Sequence, residues 1–143
     1  MPVQDYIVTY DSRTSVGYAG MIAESQEFVD VASKVVTTGA VAFGLAVGAG
    51  AADGTVRLGG TGFEGIAVAD KTRTADSFAI GEVAGVIRKG TVWVTVTTTV
   101  SPSTPPTFTA ATGVIGAGLV TAIPNAKFET SATAGQLARL YLG

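Results

Sequence analysis

The chain has 143 residues and a mass of 14.3 kDa, which favours one domain with at most an appended arm or tail. With 47% apolar and 14% charged residues it does not have the composition of a disordered chain, and a net charge of −2 does not mark a nucleic-acid binder. Since histidine and cysteine are both absent, Ser-His-Asp and Cys-His nucleophile systems, thiolate chemistry and ordinary zinc sites are excluded, and we predict no cofactor and no metal.

The N-terminal segment carries residue types that are typical of protein interfaces. Tyrosine, methionine and arginine are enriched at such interfaces, and they recur here in a mostly extended stretch. We therefore predict partner contacts at this end of the chain. The predicted contact residues are Tyr6, Tyr10, Arg13, Tyr18 and Met21.

Two interpretations of the same segment stay open. In one, residues 1–22 form an extended arm that docks on a neighbouring molecule. In the other, they supply the first strand of the chain's own sheet. Both leave residues 23–143 as the domain itself. The segment has neither a basic start nor an apolar stretch, so no signal peptide is predicted.

The chain as a whole is predicted to form strands and very little helix. Ala23–Val36 has the best helical spacing, but its apolar positions are irregular, and at most one helical turn is expected there. Short strand candidates recur at close intervals between glycine-rich breaks, which is typical of a small barrel or sandwich. They are Tyr6–Tyr10, Val41–Val47, Thr55–Leu58, Gly65–Ala69, Glu82–Ile87, Val114–Val120 and Lys127–Thr130.

A long uncharged run between Lys34 and Asp53 is nearly long enough to span a bilayer. It contains paired threonines and several glycines, and it lacks the basic clusters and aromatic belt of a membrane segment. We therefore expect no membrane partner.

The clearest periodicity lies in residues 91–100. Valines occupy alternate positions, and threonines with Trp93 occupy the positions between them. This alternation of β-branched residues predicts a strand with its valine face buried. Leu137–Leu142 alternates in the same way and predicts a closing strand. The valines are Val92, Val94, Val96 and Val100.

Ser101–Pro106 is the strongest break in the chain, because its prolines cannot donate to a β-ladder or continue a helix. It predicts a surface loop. A plain strand connector is favoured over a rigid contact tip.

Acidic residues provide the remaining enzyme hypothesis. Glu64, Asp70, Asp76 and Glu82 lie close in sequence, and a glycosidase needs two carboxylates that face each other across a cleft. The simpler interpretation of Asp70–Ser77 is a solvated loop with compensating charges. We therefore predict that the protein is not an enzyme and has no small-molecule substrate.

The low charge content has a consequence for association. A surface that is short of charge tends to carry apolar patches that bind a partner, which favours an oligomer or a component of a larger shell. The alternative is a small barrel whose surface is covered by threonine hydroxyl groups.

Several short segments together resemble the structural cement protein family of tailed bacteriophage heads. The specificity lies in their order, because each is short and made of common residues. The sequence departs from the family at Ser101–Pro106, where a charged or Gly/Asp turn is more usual. The segments are GYAGMIA (residues 17–23), AFGLAV (42–47), FEGIAV (63–68), GTVWV (90–94), AKFETS (126–131) and AGQLARL (134–140).

The resemblance implies a small single-domain all-β protein, a β-barrel or β-tulip with an extended N-terminal arm. It implies a homotrimer, made in the host cytoplasm, that binds the major capsid protein on the outer surface of the head where capsomers meet. No catalytic residues come with the family. Two alternatives stay open: another virion β-domain in the tail or baseplate, or a carbohydrate-binding module that uses Trp93 as an exposed aromatic platform.

Overall fold

A computed structural model of the protein describes residues 17–23, 29–60 and 62–143, and this part of the chain contains strands, turns and loops without a helix. The strands are β1 (Asp30–Thr37), β2 (Val41–Ala42), β3 (Ala46–Ala49), β4 (Thr55–Leu58), β5 (Phe63–Ala67), β6 (Ser77–Phe78), β7 (Val83–Thr95), β8 (Thr107–Phe108), β9 (Ile115–Gly116), β10 (Thr121–Ala122), β11 (Ala126–Phe128) and β12 (Leu137–Leu142).

Five strands close into a barrel. The order β1-β4-β3-β5-β7 is completed by an antiparallel pairing of β1 with β7, so the barrel has no open edge. Only β1 and β4 run parallel among these pairs. The all-β barrel predicted from the sequence is confirmed. The buried side chains of one core are Val36, Val41, Phe43, Val47, Val56, Ala67, Phe78, Ala84 and Val86.

Strand β7 takes part in both the barrel and a second group of paired strands. Its first half closes the barrel, whereas its second half pairs with β12, and β12 pairs in turn with β11. A separate three-stranded sheet has the order β10-β8-β9. Side chains from both regions share a second core, in which Val92, Leu140, Phe108 and Ile115 are at most 1% exposed.

Both alternating segments form strands with the predicted buried faces, but the first ends at Thr95 instead of continuing to Val100, and Val96 and Val100 form only isolated bridges. Val92, Val94 and Val96 are fully buried and Val100 is 2% exposed. In β12 the buried residues alternate with half-buried ones. The Ser101–Pro106 loop is also confirmed, and the Ser101 N–H donates to Thr104 Oγ1 at 3.0 Å within it.

The expectation of at most a helical turn in Ala23–Val36 overlooked a strand in the part that the structure describes. Asp30–Thr37 forms β1, which pairs with β4 on one side and β7 on the other. The strand was obscured because Val31 and Val35 face outward and are exposed, while Val36 faces the core. Apolar residues on both faces hide a two-residue period, and the pairing on both sides decides the conformation.

Two predicted boundaries need correction because of glycine. Val41–Val47 is not one strand: it is broken between β2 and β3 at Gly44, which has φ +84°. Ala19 packs so closely there that a Cβ on Gly44 would lie 2.8 Å from the Ala19 Cβ. Conversely, β7 (Val83–Thr95) joins most of the predicted strand Glu82–Ile87 to the first half of the alternating segment, with Gly90 at φ +120° inside it.

Other boundaries shift for lack of pairing. The predicted strand Val114–Val120 ends at Gly116, and residues 117–120 form a loop. Gly65–Ala69 corresponds to β5, and Lys127–Thr130 corresponds to β11, each displaced toward the N-terminus. The short strands β6, β8 and β10 were not predicted. The predicted strand Tyr6–Tyr10 lies outside the described residues.

Candidate docking surface

The segment that precedes β1 extends the sheet along the second half of β7. The Gly20 N–H donates to the Trp93 carbonyl at 2.8 Å, and the Trp93 N–H donates to the Met21 carbonyl at 2.9 Å. The Ala23 N–H donates to the Thr91 carbonyl at 2.8 Å. This part of the N-terminal segment therefore lies on the chain's own sheet, and Met21 is placed beside Trp93.

The same segment is fixed from its other side. The Ala69 N–H donates to the Gly20 carbonyl at 2.9 Å, which ties the segment to the residues after β5. Ile22 forms a bridge with Val92 and packs against the second core. These contacts hold the backbone of residues 20–22 in one position.

Cross-strand register then assembles a row of side chains on the outer side of this sheet. Trp93 in β7 lies opposite Arg139 in β12, and Tyr141 in β12 lies opposite Lys127 in β11. Residues that are directly opposite point to the same side. We call the surface formed by Met21, Trp93, Lys127, Arg139 and Tyr141 the sheet face. Lys127 is exposed and the other four are half-buried.

The charges of the sheet face have partners within the molecule. Arg139 Nη2 lies 3.3 Å from Glu129 Oε1, and the Lys127 ammonium group lies 5.8 Å from the centroid of the Tyr141 ring. Since these cations are already partnered, the face presents aromatic and aliphatic groups with fixed polar atoms among them. Tryptophan, tyrosine and arginine are the residue types that dominate binding energy at protein interfaces.

A cavity of about 560 Å³ adjoins one end of the sheet face. Tyr141 belongs to the sheet face and also lines this cavity, so the sheet face continues into a recess. The recess contains one acidic and one basic side chain, Asp30 and Lys89, and Asp30 is paired with Arg88 at 2.9 Å.

Tyr18 lies elsewhere. Its side chain is 37% exposed, and the Lys71 ammonium group lies 4.2 Å above its ring. Tyr18, Phe43 and Asp76 line a cavity of about 200 Å³ that none of the sheet-face residues enters. The structure therefore brings Met21 to the sheet face and Tyr18 to a separate small cavity.

Three of the predicted contact residues, Tyr6, Tyr10 and Arg13, lie outside the described residues, and their role stays a prediction. Sequence reasoning missed Lys127, Arg139 and Tyr141 and assigned Trp93 only to a carbohydrate platform. Arg139 and Tyr141 had a signal, because their parity in Leu137–Leu142 is opposite to that of the buried Leu140. Their meeting with Trp93 depends on register, which is not visible in the sequence.

Two of the four acidic residues considered for an enzyme, Glu64 and Glu82, form ion pairs. Glu64 lies 4.0 Å from the Lys34 ammonium group, and Glu82 pairs with Arg73. Asp70 accepts hydrogen bonds from Thr72, whose hydroxyl lies at 2.6 Å. Within residues 17–23, 29–60 and 62–143, no three acidic side chains come together as metal ligands.

Glu82 gives a testable pH dependence of stability. The Ala79 N–H, which donates to Glu82 Oε1 at 2.7 Å, lowers the pKa of Glu82 below its ordinary value of 4.5, and Arg73 acts in the same direction. Because the folded-state pKa is lower than the unfolded one, the stabilisation is complete above that ordinary value and is lost as the pH falls through the folded-state pKa. Glu82→Gln should therefore lower the melting temperature at neutral pH, by an amount that shrinks on acidification.

Thermal melting of the wild type and Glu82→Gln across the acidic range measures this difference. Asp53→Asn is the matched control, because the described residues provide Asp53 with no hydrogen-bond or ion-pair partner. A melting-temperature difference between wild type and Glu82→Gln that is the same at every pH would contradict the assignment.

No helix in the described part of the chain is long and apolar enough to cross a membrane. The described structure is that of a small all-β barrel protein with a second sheet built onto one of its strands. The family model described as "Structural cement protein (E217 gp24/Pam3 gp6)" matches residues 6–143, and the chain belongs to this family of structural phage proteins. The resemblance noted in the sequence is thus confirmed.

Solved structures share the fold. The chain is 19% identical to a chain of the capsid of Myoviridae phage XM1, with a TM-score of 0.69 over 88% of this chain and 89% of that one. It is 13% identical to the head fiber gp8.5 N base of bacteriophage phi29, with a TM-score of 0.51 over 81% and 95%. No curated protein matches the chain. Family membership gives the protein a structural role in a phage capsid, in association with the capsid shell.

Proposed function

We propose that the protein is a decoration protein that binds the major capsid protein on the outer surface of a phage head, where capsomers meet, and stabilises the shell against the pressure of the packaged DNA. The observation that carries this proposal is the sheet face. It gathers Met21, Trp93, Arg139 and Tyr141 on the outside of a three-stranded part of the sheet.

The sheet face suits a protein partner because little has to change when it is covered. Arg139 forms an ion pair with Glu129, so binding does not leave a buried charge without a partner. Trp93 is already half-buried beside Met21, so little side-chain freedom is lost. A rigid aromatic anchor beside a paired charge is typical of interface hot spots.

Avidity accounts for the stabilisation of a shell. An interface of standard size, about 1,600 Å² in total, corresponds to affinities from micromolar to picomolar. In a homotrimer, three linked contacts bind at high effective concentration, so dissociation is slow even when each contact is weak. Separating two capsomers then requires breaking these contacts as well as those of the coat itself.

The direct test uses the full chain and undecorated heads. Co-sedimentation should give saturable binding of the protein to mature shells, and decorated heads should release their DNA at a higher temperature than undecorated ones. If the protein is absent from the pellet at saturating concentration, the proposal is wrong. Bound protein with unchanged DNA release would remove the stabilising role.

The N-terminal arm is the second part of the proposal. Deleting residues 1–16 leaves the docked segment from Gly17 onward in place, so the barrel should fold as before while binding to heads weakens. Circular dichroism and melting temperature check the fold, and co-sedimentation measures the affinity. Unchanged affinity of the shortened chain would assign binding to the barrel alone.

A further inference from the structure

The charges of this chain are unevenly distributed along the sequence. Between Lys89 and Lys127 there is no acidic or basic side chain at all. This stretch contains the complete three-stranded sheet of β8, β9 and β10. The three-stranded sheet therefore carries no charged side chain of its own.

The loop that joins β9 to β10 is the apolar tip of this region. Val120 is 93% exposed, the highest exposure of any large apolar side chain in the described part of the chain. The half-buried Leu119 precedes it and the exposed Ala122 lies just beyond it. A valine so fully in water contributes nothing to the core of its own domain.

Two threonine hydroxyl groups hold the loop in shape. The Ala117 N–H donates to Thr98 Oγ1 at 2.6 Å, and the Leu119 N–H donates to Thr107 Oγ1 at 2.9 Å. Thr107 Oγ1 in turn donates to the Gly116 carbonyl at 2.6 Å. The tip is thus presented by a backbone that is already ordered, which lowers the entropy cost of binding.

The other exposed apolar side chains have different surroundings. Val31 and Val35 lie on β1, whose residues Asp30 and Lys34 form ion pairs with Arg88 and Glu64. A surface that mixes apolar and charged side chains in this way can remain exposed to solvent or bind a different protein. Ile80 and Val83 are also exposed, but they flank Glu82 in the sequence. Among the described residues, only the loop around Val120 combines high apolar exposure with a long uncharged stretch.

We propose that the loop of residues 117–120 is the contact between copies of this chain, with the rotation axis of the homo-oligomer passing beside Val120. Residues near such an axis meet their own copies, so a charge there would face a like charge. A charge-free, apolar and rigid tip is what this position requires, and the buried centre of homomeric interfaces is more apolar than other surfaces. The inference deepens the proposed function, because it locates the contact of the homotrimer.

The placement of the loop is compatible with the proposed contact to the shell. Val92, Val94 and Leu140 point to the core side of the sheet, where Phe108 and Ile115 from the three-stranded sheet pack against them. The sheet face lies on the opposite side of the same strands. Self-association through the loop therefore leaves the sheet face uncovered.

Sedimentation velocity and light scattering on the full chain test the inference. The wild type should have the mass of three chains of 14.3 kDa each, and Val120→Asp should reduce it to the mass of one chain. Val83→Asp is the matched control, because Val83 is 57% exposed on the barrel and should tolerate the same charge without a change in mass. Melting curves verify that both variants fold.

A charge exchange distinguishes contact between copies from contact with another protein. Val120→Lys should also give single chains, whereas mixing the V120D and V120K variants should restore part of the trimer, because a mixed trimer has two attractive contacts for each repulsive one. A monomeric wild type, an unchanged mass of V120D, or dissociation by Val83→Asp instead would overturn the inference. If V120D keeps its mass but no longer binds heads, the loop faces the shell, and the proposed function survives without the inference.

Discussion

Replacing Trp93 with alanine is expected to weaken binding to undecorated heads by at least about 30-fold, the effect of losing one interface hot spot of about 2 kcal/mol. Trp93 is the central member of a row in which Met21 lies on one side and Arg139 on the other. Removal of the indole ring takes away the largest side chain of the sheet face and leaves a depression between its neighbours. Titration of heads with labelled protein measures the change in affinity.

Controls for this experiment separate binding from folding and assembly. Val83→Ala, on the barrel wall, should bind as the wild type does, and Trp93→Phe should retain part of the affinity. The oligomeric mass of Trp93→Ala should stay unchanged, because Trp93 points to the side of β7 opposite to the core that Phe108 and Ile115 share with it. A folded Trp93→Ala variant that binds heads with wild-type affinity would show that the sheet face is not the docking surface.

Gly65→Ala is expected to destabilise the protein by about 3 kcal/mol, at the upper end of the usual cost of overpacking. Gly65 lies in β5, and a methyl group there would overlap the Ile87 carbonyl oxygen of β7 and lie 2.7 Å from Val86 Cγ1. Neither obstacle is a flexible side-chain end, so the two strands must separate where they close the barrel. Urea unfolding of both proteins at equal concentration measures the difference in the free energy of unfolding.

Gly39→Ala is the matched control for this substitution. No atom lies within 4 Å of a Cβ built on Gly39, and its backbone is not in the left-handed region. The same chemical change should therefore have little effect on stability there. Equal free energies of unfolding for Gly65→Ala and the wild type would mean that β5 and β7 are not packed as closely as described.

The sequence predicted the elements that have one buried and one exposed face. Val92 and Val94 alternate with polar neighbours, so their strand and its buried side were visible. Strand β1 was not, because Val35 and Val36 point to opposite sides and are both apolar. Its conformation is imposed by β4 and β7, which are distant in sequence.

The candidate site was predicted only in part, for a related reason. The residue types of the N-terminal segment drew attention to an interface composition, and Met21 lies beside Trp93, but the partner contacts of these residues stay a prediction. The pairing of Trp93 with Arg139 joins residues far apart in the chain, and only the register of β7 with β12 establishes it. Thr91 shows the same limit: its parity predicts the outer face, yet it is fully buried and its hydroxyl has no hydrogen-bond partner.

The 13-residue strand β7 has a mechanical consequence. Since it is hydrogen-bonded to the barrel along one half and to β12 along the other, the two cores share one backbone strand, and loosening one core disturbs the other. Tension applied across the molecule is carried along a continuous covalent chain and not across a hinge. We therefore expect the barrel and the sheet of β11 and β12 to unfold under load in one cooperative step, without a partly unfolded intermediate.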